Sequence, residues 1–441
     1  MKIPTGGTAR KPLARSGEIP EPTVKKQPCG VSEVRTREEY YLTICGTSKC
    51  SRQPEMILKP RHCSRLLFLR GESMTDEEYM KYALRLARRG CGFVSPNPMV
   101  GAVIVKNNTI IGEGWHTKYG CPHAEREALA HCSDDPCGAD IYVTLEPCCH
   151  YGKQPPCTDA LIEAGIKRVF VGSPDPNPLV AGKGVEILRS HGIEVHENIL
   201  REECDALNEI FLHYITSRKP FVAMKYAMTA DGKISAFTGA SKWITGEKAR
   251  EDVHFLRKKY SAIMVGIGTA IADDPMLNCR IENGRDPVRI VCDSHLALPL
   301  DSRLVRSARD IPLIIASCCT DAEKQKPYLD AGCDIITVPQ KDDHTDLAAL
   351  IEELGRRGID SVLTEGGGTL NWSMLKAGIV NKVYAYIAPK LLGGKGAPSP
   401  VGGEGFPSPD EAVKLRTVDV RMIGEDILIE SEVTDFVHGN S

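Results

Sequence analysis

Long apolar runs are missing from this sequence: none approaches the roughly 20 residues that cross a bilayer, so no membrane span is expected. A basic excess is missing too. Lys and Arg number 55 against 58 Asp and Glu, for a net charge of -3. Domains that bind nucleic acid carry a clear basic surplus, so that class of partner is not expected either. No secretory signal is legible, and no internal repeat. The 17 cysteines are spread along the chain, several within apolar runs such as Val291-Cys292. Most of them therefore read as reduced thiols of a cytoplasmic protein rather than as a disulfide framework.

What is present is the composition of a soluble globular protein, 42% apolar and 26% charged. At 441 residues the chain exceeds one ordinary core, so two domains plus an extra segment are expected. The extra segment is residues 1–73, where Gly, Pro, Arg and Lys alternate without a sustained period and Asp is absent. Three readings stay open for it. It is a disordered extension, an Arg-rich organellar transit peptide, or a stretch preceding a true start at Met74. Glu18, Glu21, Glu33, Glu38 and Glu39 argue against the second.

From Thr75 the pattern sharpens. Thr75 can cap a helix in which Tyr79, Met80, Ala83, Leu84 and Ala87 recur at helical spacing. Gly101 to Val105 and Thr109 to Ile111 read as a hairpin, and helix and strand then alternate through Val171, with a helix expected over 202–216. This predicts an α/β sandwich over residues 74–219. After the linker Ser217 to Pro220 a second alternating series, from Phe221, predicts a second α/β domain over residues 220–441. The Gly- and Pro-rich stretch from Gly393 to Pro409 is read as a long loop within it.

The strongest chemical signal is Pro122-His123-Ala124-Glu125 followed by Glu146-Pro147-Cys148-Cys149-His150, with Cys157 nine positions after Cys148. One imidazole and two thiolates make a zinc site whose fourth tetrahedral position is left for water. Glu125, two residues from a ligand, is placed to move protons, which is the general acid/base role in hydrolytic deamination. A closed structural site with His150 as the fourth ligand is disfavoured by the wide cysteine spacing, and adjacent Cys149 is read as a bystander.

His123-Ala-Glu125 with Pro147-Cys148-x(8)-Cys157 resembles the cytidine-deaminase-like superfamily. The wide spacing, with Pro96-Asn97-Pro98, Gly112-x-Gly114-x-His116 and Asp175-Pro176-Asn177, is similar to its pyrimidine-deaminase branch in riboflavin biosynthesis. The resemblance implies zinc on His123, Cys148 and Cys157, catalysis by Glu125, and substrate contacts from Asn97, His116, His150, Lys153, Asp175 and Asn177. A Cys at position 149, where the family usually has Ser, touches none of these roles.

In the second half Glu365-Gly366-Gly367-Gly368-Thr369 follows a strand and opens a helix, a setting in which backbone amides approach a phosphate. Alone it is a weak signal. With Ser241-Lys242-Trp243-Ile244-Thr245 and Gly268-Thr269-x(3)-Asp273 it resembles the NADPH-dependent reductase family of the same pathway, whose fold is similar to dihydrofolate reductase. That resemblance implies NADPH contacts from Ala227, Trp243, Thr245, Thr269, Asp273, Ser294, Gly367, Gly368 and Thr369. It implies substrate contacts from Ser241, Arg257, Leu277, Arg280 and Glu365, with Arg257 and Arg280 as a fork for a 5-phosphate.

Deaminase before reductase is the order of the bacterial bifunctional family. The implied reactions are hydrolysis of the 2-amino group of a phosphoribosylated diaminopyrimidinone, then hydride reduction of its ribosyl group to ribityl. A homo-oligomer assembled through the reductase half is the family expectation. The open alternative is an active deaminase joined to a non-catalytic reductase-like domain.

Overall fold

The computed structural model describes residues 74–152 and 154–435, which fall within one compact unit. The expectations for residues 1–73, for Lys153 and for residues 436–441 lie outside the described residues.

The first helix, α1 (Asp76–Arg88), is opened by a capping box. The Thr75 hydroxyl accepts from the Glu78 N–H and the Glu78 carboxylate accepts from the Thr75 N–H. The chain then runs through β1 (Gly101–Lys106) and β2 (Thr109–Trp115), a hairpin closed by Asn107 and Asn108, both at positive φ as a two-residue turn requires. Next come α2 (Ala124–Ala130), β3 (Asp140–Leu145), α3 (Cys157–Glu163), β4 (Arg168–Ser173), α4 (Lys183–Ser190) and β5 (Glu194–His196). The sheet order is β2-β1-β3-β4-β5, antiparallel across the first three strands and parallel across the last three.

Strand alternation explains the layering. Val103 and Val105 meet Tyr79, Met80 and Ala83 of α1, while Ala102 and Ile104 meet Ala124, Ala128 and Leu161 of the opposite layer. Each large side chain so buried contributes about 1.5–3 kcal/mol. The expected α/β/α sandwich results.

The helix expected over 202–216 is in fact two: α5 (Arg201–Leu207) and α6 (Glu209–Ser217). Asn208 breaks it, at φ -107° and ψ 20°. Its side-chain amide is buried and drawn to the Met99 backbone, accepting from its N–H at 2.8 Å and donating to its carbonyl at 3.0 Å. An apolar helical pattern cannot report such a long-range bond. The sequence reading also passed over α4, β5 and the C-terminal hairpin.

The second half is built on β6 (Phe221–Thr229), α7 (Glu247–Lys259), β7 (Ala262–Gly266), α8 (Ile267–Asp273) and β8 (Val288–Cys292). It continues with α9 (Arg303–Arg306), β9 (Leu313–Ser317), α10 (Ala322–Ala331), β10 (Asp334–Thr337) and a small hairpin of β11 (Gln340–Lys341) and β12 (His344–Thr345). It ends with α11 (Leu347–Arg356), β13 (Ser361–Thr364), α12 (Gly368–Lys376), β14 (Lys382–Ala388), β15 (Lys414–Ile423) and β16 (Asp426–Asp435). The sheet order is β10-β9-β8-β7-β13-β6-β14-β16-β15, parallel up to β14 and antiparallel beyond it. The stretch from Gly393 to Pro409 is a loop, as expected.

The two sheets are joined through α6. Its Glu209 lies between Lys259 of α7, at 2.7 Å, and Lys382 of β14, which also reaches Glu430 at 3.1 Å. Burial opposes the charge on both lysines, but Glu209 outweighs it and their pKa values rise. Ser95 of the first half bonds Ser261 and Asp360 of the second at 2.7 and 2.6 Å. Removing one partner of a buried ionic cluster leaves uncompensated charge at a cost of about 3–5 kcal/mol. Glu209→Ala is therefore expected to lower the urea unfolding midpoint by an equivalent amount. An unchanged midpoint would mean the cluster does not hold the halves together.

Candidate active sites

In the first half, β3 holds two helix starts side by side. His123 is the N-cap of α2, Glu125 stands in its first turn, and Cys157 is the first residue of α3. Cys148, on the loop leaving β3, is fixed by its own carbonyl, which accepts from the N–H groups of Cys157 and Thr158. Helix α2 lies so close to β2 that a Cβ on Gly114 would come within 2.3 Å of the Ala124 carbonyl oxygen. Only glycine permits that approach, which accounts physically for the Gly112-x-Gly114 pattern.

The His123 Nδ1 lies 3.4 Å from each of the Cys148 and Cys157 sulfurs, and all three donor atoms are within 4.8 Å of one another. Tetrahedral zinc with ordinary Zn–S and Zn–N bonds needs S···N edges of about 3.5 Å, so the donor set fits the ion. Among the described residues this is the one such cluster. His150 is not part of it, and Cys149 turns away to the Leu179 carbonyl, so three ligands leave the fourth position for chemistry. The Cys148 thiol is pulled down to about 4, first by the hydrogen bond from Cys157, with His123 adding to it. Glu125 is 3% exposed, and burial holds its carboxyl above the usual range.

A cavity of about 310 Å³ opens over these groups. Asn97, His116, His150, Asp175 and Asn177 all line it, as do Gly152 and Gln154. His116 is buried, with Nδ1 donating to the Pro122 carbonyl at 3.1 Å. That leaves Nε2 to accept from the Asn97 amide at 3.2 Å, so the two side chains are tied to each other. The buried His150 Nδ1 has no partner among the described residues. Asp175 accepts from the Asn177 N–H at 2.9 Å, and burial pushes its carboxyl up to about 6.

Glu146, which the sequence reading left without a role, organises this wall. Its buried carboxylate accepts from the N–H groups of Asp175, Gly182, Gly184 and Val185 at 3.0–3.4 Å. Tyr214, Ile215 and Arg218 from the end of α6 also line the cavity. They carry no motif and stand some 60 residues past the last ligand, so nothing local in the sequence connects them to the site.

In the second half a cavity of about 480 Å³ is lined by Ala227, Ser241, Trp243, Thr245, Arg257, Thr269, Asp273, Arg280, Glu365 and Gly367. An adjoining cavity of about 350 Å³ includes Ser294 and Thr369, and shares Gly268, Thr269 and Gly367 with the first. Together they form an elongated cleft suited to a dinucleotide. Gly368 lines neither and stands as the first residue of α12, with the Ser399 carbonyl packed against it. Trp243 is 63% exposed with Arg250 stacked 4.5 Å from its ring, so it is no core residue.

Two expectations change here. Leu277 does not line the cleft: its side chain is buried with Ile263, Val291 and Val305, because a positive φ at this position turns it under the loop. Arg257 does not present a free fork. Its Nε and Nη2 donate to the Glu365 carboxylate at 2.7 and 3.0 Å and its Nη1 to the Asn278 carbonyl at 3.0 Å. Arg280 is the exposed one, its Nε 3.2 Å from His254 Nε2. Lys225, Arg250 and His254 line the cleft without having been foreseen. Lys225 was within reach, since it shares a strand face with Ala227 two positions on.

A cluster with zinc geometry and a buried glutamate under a cavity, joined to an α/β half with a long cleft, is the arrangement of a zinc deaminase fused to a nucleotide-dependent reductase. Residues 73–173 match the family model for the cytidine and deoxycytidylate deaminase zinc-binding region, and residues 220–429 that for the RibD C-terminal domain. The riboflavin biosynthesis protein RibD of Actinobacillus pleuropneumoniae is 55% identical over 359 residues, covering 81% of this chain and 96% of that protein. Its Escherichia coli counterpart is 37% identical over 369 residues, covering 81% and 99%. A solved Thermotoga maritima diaminohydroxyphosphoribosylaminopyrimidine deaminase/5-amino-6-(5-phosphoribosylamino)uracil reductase superimposes with a TM-score of 0.73 at 40% identity, covering 81% of this chain and 99% of that one. Acinetobacter baumannii RibD does so with a TM-score of 0.73 at 37% identity, covering 82% and 99%. The chain belongs to the RibD family of bifunctional riboflavin-biosynthesis enzymes, which use zinc and NADPH.

Burial works against ionisation of Glu365, yet Arg257 and Lys225 outweigh it and bring its carboxyl down to about 2. A depressed carboxyl contributes stability above its unfolded value, near 4.5, and loses it as pH falls toward 2. Unfolding free energies measured by denaturant across that window are expected to fall less steeply in Glu365→Gln than in the wild type. Parallel slopes would remove Glu365 from the acid response.

Proposed function

We propose that residues 74–219 hydrolyse the 2-amino group of 2,5-diamino-6-(5-phosphoribosylamino)pyrimidin-4(3H)-one, and that residues 220–441 then reduce the ribosyl group of the product to ribityl. The single observation that carries the first step is the His123, Cys148 and Cys157 cluster with buried Glu125 beneath the 310 Å³ cavity.

His123, Cys148 and Cys157 would hold zinc, which when bound would supply Lewis-acid polarisation of a water. Glu125 takes the proton from the attacking water and returns it to the leaving amine, so ammonia departs neutral. Asn97, its amide fixed by His116, and Asp175 and Asn177 across the cavity offer donors and acceptors to the edge of the pyrimidinone. Their positions are set before substrate arrives, so little ordering is left to binding.

In the second cleft NADPH supplies the hydride. The Gly367 to Thr369 turn at the start of α12, with Thr269 and Ser294, is assigned to its phosphates and ribose, and Trp243, Thr245 and Asp273 to the rest of the dinucleotide. Ser241, Arg280 and Glu365 are assigned to the substrate. Arg280 is the phosphate-facing cation, while Arg257 holds Glu365 in place.

We also assign assembly of like subunits to the second half. Strand β15 is the edge of the nine-stranded sheet, and Val418, Val420 and Met422 stand exposed along it. Sedimentation of the intact chain is expected to give a dimer or larger. Val420→Lys should shift it toward monomer, and a monomeric wild type would sink the assignment.

Glu125→Gln is expected to keep zinc, to lower ammonia release by a factor of about 100 or more, and to leave NADPH oxidation on the deaminated substrate intact. Ammonia release near the wild-type rate would refute the role given to Glu125. Treating the wild type with a zinc chelator should likewise stop ammonia release and spare NADPH oxidation, the two being followed separately.

A further inference from the structure

The walls of the deaminase cavity are acidic or neutral. Glu125, Glu146 and Asp175 contribute carboxyl groups, and the remaining polar lining is amide, imidazole, thiol and phenol. Among the described lining residues Arg218 is the one Lys or Arg. It comes from neither ligand-bearing helix. It is the residue that ends α6, in left-handed conformation at φ 58° and ψ 15°, beyond the stretch matched by the deaminase family model.

The backbone of Arg218 is held from two sides. Its N–H donates to the Tyr214 carbonyl at 2.9 Å, closing the helix. Its own carbonyl packs against Gly355 of α11, where a Cβ would come within 2.3 Å. The Tyr214 hydroxyl adds a 3.0 Å bond to the Gly355 carbonyl, so the end of α6 is fastened to the reductase half. The guanidinium, by contrast, is exposed, and no hydrogen bond or ion pair of its side chain is found among the described residues. A rigid stem with an uncommitted guanidinium at the mouth of a cavity is how a protein offers a fork to an anion.

Resting on the substrate reading above, we propose that Arg218 binds the 5-phosphate at the deaminase site. It thereby makes that site selective for the phosphorylated pyrimidine over its free riboside. The pyrimidinone end meets Asn97 and Asp175 in the cavity that also holds Glu125, which leaves the phosphate end to Arg218. The polarity that presents the exocyclic amine to the reacting centre is thus shared between those contacts and the Arg218 fork. Because α6 is fastened to α11, the deaminase site obtains this contact through its docking on the reductase half.

The test compares the wild type with Arg218→Gln and Arg218→Lys, measuring ammonia release from the phosphoribosylated pyrimidine and from its dephosphorylated riboside. Charge-assisted bonds to phosphate predict a rise in KM of about 10-fold or more for the phosphorylated substrate in Arg218→Gln. KM for the riboside should stay within about twofold, with kcat little changed and part of the loss recovered by Arg218→Lys. Inorganic phosphate should inhibit the wild type competitively and Arg218→Gln more weakly. Bound zinc and melting midpoint, unchanged in both variants, show that they are folded. Equal losses on the two substrates, or no loss on the phosphorylated one, would overturn the role of Arg218. Absence of ammonia release by the wild type from the phosphorylated compound would instead overturn the substrate reading itself.

Discussion

Everything in the first half depends on bringing one imidazole nitrogen and two sulfurs within 4.8 Å of one another, although they belong to residues up to 34 positions apart. Strand β3 supplies the register. Glycine at 112 and 114 lets α2 lie against β2, and the Cys148 carbonyl caps the start of α3. Helix N-termini attract negative charge, so the place where two of them meet also helps to ionise the thiols that hold the metal. Glu125 is buried in the same step because it stands in the first turn of the helix that His123 caps.

The second constraint is the treatment of buried charge. Glu209 with Lys259 and Lys382, and Glu365 with Arg257 and Lys225, are compensated clusters, each needing groups from separate elements. The first joins the two halves. The second fixes the carboxylate that faces the reductase cleft, and it takes up the Arg257 fork that an isolated motif would assign to phosphate. Glu146 applies the same principle with backbone amides instead of side chains, tying the loop after β3 to the loop before α4. Since α6 carries both Glu209 and the wall of the deaminase cavity, the interface and the site are two faces of one helix.

Much was legible from the chain alone. The capping box at Thr75, the Asn107-Asn108 turn, the alternating strands and the zinc ligands are local or nearly local patterns, and local sterics and bonding determine them before tertiary contacts form. Most of the described residues quoted around the motifs came together in the clefts of the two halves for the same reason, since a loop that enters a helix must place its neighbours near its ligands. The expectations that changed were those that depend on distant partners. Asn208 cut an apolar helix because of Met99, and Leu277 went under its loop into the core.

By itself, then, the sequence determined which residues of each half could carry its chemistry: a His/Cys/Cys donor set, a glutamate two positions from the histidine, and a glycine-rich turn that opens a helix. Those are questions of residue type and short spacing. Only the tertiary structure decided which charges are already spent and which are free. Arg257 is neutralised by a glutamate 108 positions away, whereas Arg218, without any motif, is left at the mouth of the deaminase cavity. Pairing between charges is set by distance in space, and sequence separation carries no record of it.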